Sequence, residues 1–175
     1  MPRAVVHAIV GPVGATELYD PKTNTFSPTA PLTAWNDMNT ATLLTNSLVL
    51  IVGDPQSAGS PSDAEMYRPV AGTFSSIGET NAPHRFAPAV ALGSGSALVL
   101  GGQLPDGSGS QAVDLYNSGP NSFASDANMK VGRYSHTATV LPDGSVLILG
   151  GYTSAQSPTS SAEIFESTGV GFWDY

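Results

Sequence analysis

Hydrophobic and polar residues alternate along this chain in short runs that are separated by turn residues. The run SVLILGG at 145–151 is almost continuously aliphatic, which is typical of a strand buried on both faces. It follows HTATVL at 136–141, where polar and apolar residues partly alternate, and the Pro-Asp-Gly between the two runs predicts a tight hairpin. No stretch of 10–12 residues carries the apolar period of a helix. The pattern therefore predicts short antiparallel strands, about fourteen or fifteen of them.

A second pattern shows that these strands belong to a repeat. ATELYDPKTNTF at 15–26 has three later counterparts that share an acid, an aromatic two places on, and a second aromatic seven places after the first. The acids are Glu17, Glu65, Asp114 and Glu163, the first aromatics are Tyr19, Tyr67, Tyr116 and Phe165, and the second aromatics are Phe26, Phe74, Phe123 and Phe172. Each series advances by 48, 49 and 49 residues, as the differences between successive acid positions show. A four-stranded unit of about this length predicts a propeller blade, with Phe74 and Phe123 buried between blades.

One unit resembles a known family closely. R-x-x-H-T-A-T-x-L-P-D-G-x-V-L-x-x-G-G, followed by A-E-x-Y-D-P-x-T-N-T-F, is similar to a kelch repeat of the bacterial type also found in the central domain of galactose-oxidase-like proteins. The resemblance extends from about residue 4 to 172 and implies an all-β, kelch-type β-propeller of about 3.5 four-stranded antiparallel blades. A single propeller segment then spans 1–175, with a partial blade at 4–26 and blades at about 36–74, 85–123 and 133–172.

Three and a half blades are too few for the usual six- or seven-bladed ring, and an open arc would expose apolar blade faces. Three arrangements stay open: a fragment of a longer propeller chain, a homodimer that completes a ring, and a closed ring of four blades. The absence of cysteine excludes disulfides and thiolate metal sites but does not fix the compartment. Localisation is therefore unassigned, and a secreted or cell-surface location is expected if the chain is part of a longer bacterial protein.

Charge and hydropathy limit the classes of partner. The chain has 6 basic and 14 acidic residues, and its net charge of −8 would repel a phosphate backbone, so no nucleic-acid partner is expected. No basic amphipathic stretch is present, and the longest apolar run, LVLIVG at 48–53, is too short to span a bilayer. We therefore expect no membrane partner.

The ionisable residues do not form a recognisable catalytic set. Tyr134 and His136 lie in RYSHTATVLPDG, which resembles the family in which Tyr and His side chains hold copper, but the Cys that cross-links to one Tyr in that family is absent. His7 and His84 fall at unrelated positions in their repeats, and one Tyr with one His does not complete a Cu(II) site. No catalytic residue, metal or cofactor is assigned. We expect His136 to make a local hydrogen bond at the start of its strand, and the repeated acid to bond backbone or the adjacent strand.

The residues that vary on the constant frame indicate where a ligand would bind. The start of strand one and the end of strand two share one face of a blade, and side chains there differ between repeats. The candidates are Arg85, Phe86, Gln103, Arg133, Tyr134, His136, Tyr152 and Asp54. Arg133 has a near-counterpart in Arg85 after a one-residue shift, and either arginine could instead tie neighbouring blades together.

Many kelch proteins dock peptides on this face, so the resemblance implies a non-catalytic scaffold that binds a protein or a glycan. The alternatives are a fragment of a galactose-oxidase-like carbohydrate-active enzyme whose catalytic residues lie outside this chain, and a structural spacer.

Overall fold

The structure, a computed structural model, describes residues 8–9, 15–34, 38–53, 59–93, 95–166 and 172–174. All named strands among them pair antiparallel, and none of these residues is helical. The strands are β1 Ala8–Ile9, β2 Thr16–Asp20, β3 Thr25–Pro28, β4 Thr40–Leu43, β5 Val49–Val52, β6 Asp63–Arg68, β7 Thr73–Glu79, β8 Ala89–Ala91, β9 Ala97–Leu100, β10 Val113–Asn117, β11 Ser122–Ser125, β12 Thr137–Val140, β13 Val146–Leu149, β14 Tyr152–Ser154, β15 Ser157–Pro158, β16 Ala162–Phe165 and β17 Phe172–Asp174. Within this described part no helix offers a transmembrane span.

The strands form four successive sheets. The first sheet has the order β1-β2-β3, the second β4-β5-β6-β7, the third β8-β9-β10-β11 and the fourth β12-β13-β16-β17. The two additional strands, β14 and β15, form a separate two-stranded sheet, so the described residues contain seventeen strands, two more than the upper predicted number.

The two aromatic columns lie directly opposite each other in every sheet. Tyr19 pairs with Phe26, Tyr67 with Phe74, Tyr116 with Phe123 and Phe165 with Phe172. The rings of the first three pairs are tilted, with centroids 4.6–5.5 Å apart, the arrangement that the aromatic quadrupole favours. The repeated sequence register is therefore also the repeated strand register.

The hairpin between these two strands depends on one backbone position. Asn24, Gly72 and Asn121 occupy it in successive sheets, and all three have positive φ, at 53°, 67° and 54°. Asn and Gly tolerate this left-handed conformation better than other residues. The Asn side chain also accepts a hydrogen bond at 2.8 Å from the paired tyrosine hydroxyl, Tyr19 or Tyr116.

The sheets pack face to face through their central strands. In β5, Val49 and Ile51 point to the first sheet, while Leu50 and Val52 point to the third. The same alternation in β9 and β13 builds the cluster between the third and fourth sheets. Phe74 is buried between the first two sheets, as predicted, whereas Phe123 is only partly buried between the next two. The first strands of the second, third and fourth sheets are also neighbours, since β4 contacts β8 and β8 contacts β12.

Candidate binding surface

The repeated acid holds the chain where it enters each sheet. Glu65 accepts hydrogen bonds from the backbone N–H groups of Thr33 and Ala34 at 2.9–3.0 Å. Asp114 accepts from residues 81 and 82, and Glu163 from residues 130 and 131, again through backbone N–H groups. Buried backbone donors must find acceptors, and one carboxylate here serves two of them. The expectation that this acid bonds backbone is confirmed for these three sheets.

Two of these acids also hold a buried basic side chain. The Arg133 guanidinium lies 2.7 Å from Glu163, and its other donors reach the carbonyl oxygens of Val131, Gly150 and Ser161 and the hydroxyl of Ser161. In the preceding repeat, His84 Nε2 lies 2.9 Å from Asp114, and Nδ1 donates to the Gly101 carbonyl oxygen at 2.6 Å. Both basic side chains are buried. Through these hydrogen bonds, each one links the segment before the first strand of its sheet to the third strand and to the end of the second strand.

Burial by itself raises the pKa of Asp114, but hydrogen bonds from His84 and Asn81 outweigh it and hold the pKa below its ordinary value. Ser62 does not extend this pair into a nucleophilic triad. Its hydroxyl accepts a hydrogen bond from the His84 backbone N–H at 2.8 Å, and both nitrogens of the His84 ring have other partners.

These contacts correct the sequence alignment of the two arginines. The structural counterpart of Arg133 is His84, 49 residues earlier and bonded to the equivalent acid and glycine. Arg85 therefore shares its column with Tyr134, and no one-residue shift is needed. The shift serves only to align the two arginines. With an unbroken repeat of 49 residues, Arg85 falls one position after His84 and takes no part in the buried pair with Asp114.

Four of the predicted ligand-binding residues come together in a row, which we call the aromatic row: Arg85, Phe86, Tyr134 and Tyr152. The Arg85 guanidinium carbon lies 4.9 Å from the centroid of the Phe86 ring. The centroids of Phe86 and Tyr134 are 6.4 Å apart, and those of Tyr134 and Tyr152 are 5.8 Å apart with planes only 25° from parallel. Tyr134 is buried, Arg85 and Phe86 are half-buried, and Tyr152 is 41% exposed.

The backbone fixes the row from three directions. Tyr134 and Tyr152 exchange both backbone hydrogen bonds, at 3.0 and 3.1 Å. The N–H of Ser135 donates to the Phe86 carbonyl oxygen at 3.0 Å, and both residues have positive φ, at 51° and 56°. Gln103 donates its N–H to the Arg85 carbonyl oxygen at 2.7 Å and so lies at the edge of the row. The hairpin β14–β15 begins at Tyr152, in a segment without the polar–apolar alternation that would predict a strand.

His136 lies behind this surface and differs from its predicted state. It is 6% exposed, and neither ring nitrogen has a hydrogen-bond partner among the described residues, so the expected local hydrogen bond is not formed. Burial, with a smaller contribution from the Arg133 charge, lowers the pKa of His136 to about 3. The close fit leaves no room on the neighbouring strand end, since a Cβ on Gly151 would lie 2.7 Å from the Cβ of His136. His136 is thus a buried, neutral ring packed against glycine backbone.

The remaining candidates divide between the interior and the undescribed part of the chain. Arg133 lies in the interior, where its guanidinium bonds other residues of the chain, and Asp54 lies outside the described residues. Within the described ranges, no three His, Cys, Asp or Glu side chains are grouped closely enough to hold a metal ion. The surface that these residues form is therefore aromatic, with one basic end at Arg85.

No family model matches the chain, and a search of curated proteins finds no match either.

Proposed function

We propose that the chain is a kelch-type β-propeller segment that acts as a non-catalytic binding scaffold, with its ligand on the aromatic row. Three features support the propeller arrangement: the four-stranded meanders, their face-to-face packing through aliphatic clusters, and the contacts of β8 with β4 and β12. In a propeller, blades of this kind surround a central channel, and loops at one end of the blades form a common face.

The observation that carries the binding proposal is the row itself. Tyr and Arg side chains are enriched in protein-binding hot spots, and Tyr presents a large contact area with few torsions to immobilise. Here buried Tyr134 supports the exposed ring of Tyr152 from below, so the platform is rigid before a ligand arrives. A preformed platform loses less conformational entropy on binding than a flexible one.

The chemistry of the row favours a protein ligand over a glycan. Arg85 stacks on Phe86, which holds its guanidinium at one end of the row, where its N–H groups can donate hydrogen bonds to a ligand carboxylate. The proposed ligand is a peptide segment that carries an aromatic or proline side chain beside an acidic residue. A neutral glycan would stack on Tyr152 without using Arg85.

A displayed random-peptide library selected on the purified protein, with a glycan array in parallel, tests the proposal. We expect enriched acidic-aromatic peptides whose affinity falls at least about tenfold in Tyr152→Ala and in Arg85→Ala. Val70→Ala is the matched control, because Val70 is exposed in a turn of the second sheet. Peptides that bind both variants as tightly as the parent protein would refute the proposal. Array binding that needs Tyr152 but not Arg85 would identify a glycan ligand instead.

A further inference from the structure

Two joints inside the chain use the same residues in the same positions. Between the second and third sheets, the face that carries Leu50 and Val52 packs on the face that carries Tyr116 and Phe123. Between the third and fourth sheets, the face with Leu98 and Leu100 packs on the face with Phe165. The four leucine and valine side chains in these two joints are buried completely or nearly so.

The fourth sheet carries the next copy of the aliphatic face that bears Leu98 and Leu100 in the third sheet. We call this surface the trailing face and define it by Leu147, Leu149 and Ile164. Leu147 and Leu149 follow Leu98 and Leu100 by 49 residues, and Leu147 lies opposite Ile164 in the sheet. Leu149 is nevertheless 49% exposed, and Leu147 and Ile164 are half-buried. The trailing face thus has the same apolar residues as the buried joints, but no neighbouring sheet among the described residues packs against it.

The first sheet carries a copy of the aromatic face that bears Tyr116 and Phe123 in the third sheet. We call this surface the leading face and define it by the ring pair Tyr19 and Phe26. The two rings lie 5.1 Å apart, as do their counterparts in the next sheets to within about half an ångström. Phe26 is 54% exposed, whereas Phe74, in the same column, is 8% exposed because the first sheet covers it.

We propose that the trailing face of one copy docks on the leading face of a second copy of this chain. The two faces belong to the two sides of a joint that the chain already forms twice, so each is preshaped for the other. A second copy supplies both faces at once, and two such contacts related by a twofold axis leave neither face exposed. The contact is apolar between molecules that each carry a net charge of −8, so added salt should strengthen it by screening their repulsion.

Sedimentation velocity over a concentration series, combined with single substitutions on each face, tests this contact. We expect the parent chain to dimerise, with a dissociation constant that falls as salt rises. Leu149→Lys and Phe26→Glu should each weaken the dimer at least about thirtyfold, because each places a charge at the centre of an apolar contact. Val70→Lys, on an exposed turn outside both faces, is the matched control and should dimerise like the parent.

Mixing the two variants separates this geometry from other dimers. A Leu149→Lys copy and a Phe26→Glu copy together form one unaltered contact and one contact with opposite charges, so the mixture should dimerise although neither variant does alone. Circular dichroism of each variant verifies that its strands are retained. A parent chain that stays monomeric at all concentrations would overturn the proposal. So would dimers that survive either substitution, or a mixture that remains monomeric.

Discussion

Replacing His136 should change how stability depends on pH. His136 is buried as a neutral ring without hydrogen-bond partners among the described residues, and its pKa is lowered to about 3. In the unfolded chain the same ring titrates near its ordinary value of about 6.5. The unfolded state therefore binds a proton more readily than the folded state, and stability falls as the pH drops from about 6.5 towards 3.

The size of this effect follows from the two pKa values. Between pH 7 and pH 5, the linkage relation gives a loss of about 2 kcal/mol in the free energy of unfolding from His136 alone. At pH 5 the folded ring is still neutral, so the loss approaches its limiting slope of about 1.4 kcal/mol per pH unit. His136→Ala removes this contribution. Alanine is compatible with this position of the repeat, since Ala87 occupies the equivalent position before β8 and is also buried.

Urea denaturation followed by circular dichroism at pH 7, 6 and 5 measures the effect. The absolute stability of the variant also changes because the ring leaves a cavity, but that change is the same at each pH. The prediction concerns only the difference in slope: the parent should lose about 2 kcal/mol more than His136→Ala between pH 7 and pH 5. Other titrating groups are common to both proteins and cancel. Parallel curves would show that His136 is not held neutral by its surroundings.

Five further substitutions test the scaffold at pH 7 by the same unfolding assay. Glu163→Gln should cost about 3–5 kcal/mol, because it leaves the buried Arg133 guanidinium without its carboxylate. Asn121→Ala should cost about 1–2 kcal/mol, because alanine is strained at positive φ and the tyrosine hydroxyl loses its acceptor, whereas Asn121→Gly should cost less. Phe74→Ala should cost about 3–5 kcal/mol, and Phe26→Ala, in the same column but exposed in a single copy, much less when both are measured at protein concentrations at which the chain is monomeric.

Each of these comparisons has an outcome that contradicts it. A Glu163→Gln protein as stable as the parent would mean that the guanidinium reaches solvent. Equal losses for alanine and glycine at position 121 would show that the backbone conformation contributes nothing there. Equal losses for the two phenylalanines in the monomer would mean that the first sheet is covered within a single copy.

The spacing of the repeat was enough to predict the four-stranded units and the role of the acid. Three acids in one column bond two consecutive backbone N–H groups each, and a buried pair of donors imposes the same requirement in every repeat. An acid that recurs with the period of the fold therefore points to the fold, whereas paired catalytic acids would need different surroundings.

Two features depend on contacts that the sequence does not display. The hairpin β14–β15 consists of small polar residues without alternation, and its first residue, Tyr152, is held by a backbone pair with Tyr134 from outside the hairpin. The state of His136 depends on two glycines packed against it, Gly101 at its ring and Gly151 at its Cβ, which bring backbone rather than hydrogen-bonding side chains to it. In both cases the decisive partner comes from a different segment of the chain.

The alignment of the arginines shows how the repeat separates structural residues from surface residues. In the third sheet's repeat, His84 bonds the acid, and the next residue, Arg85, lies beside the ring of Phe86. In the fourth sheet's repeat, Arg133 bonds the acid and the next residue is Tyr134. In these two repeats the inner position supplies hydrogen-bond donors to a buried carboxylate, which the side chains of His and Arg can do. The outer position meets no such requirement, and it is there that a basic residue in one repeat and an aromatic residue in the next build the two ends of one surface.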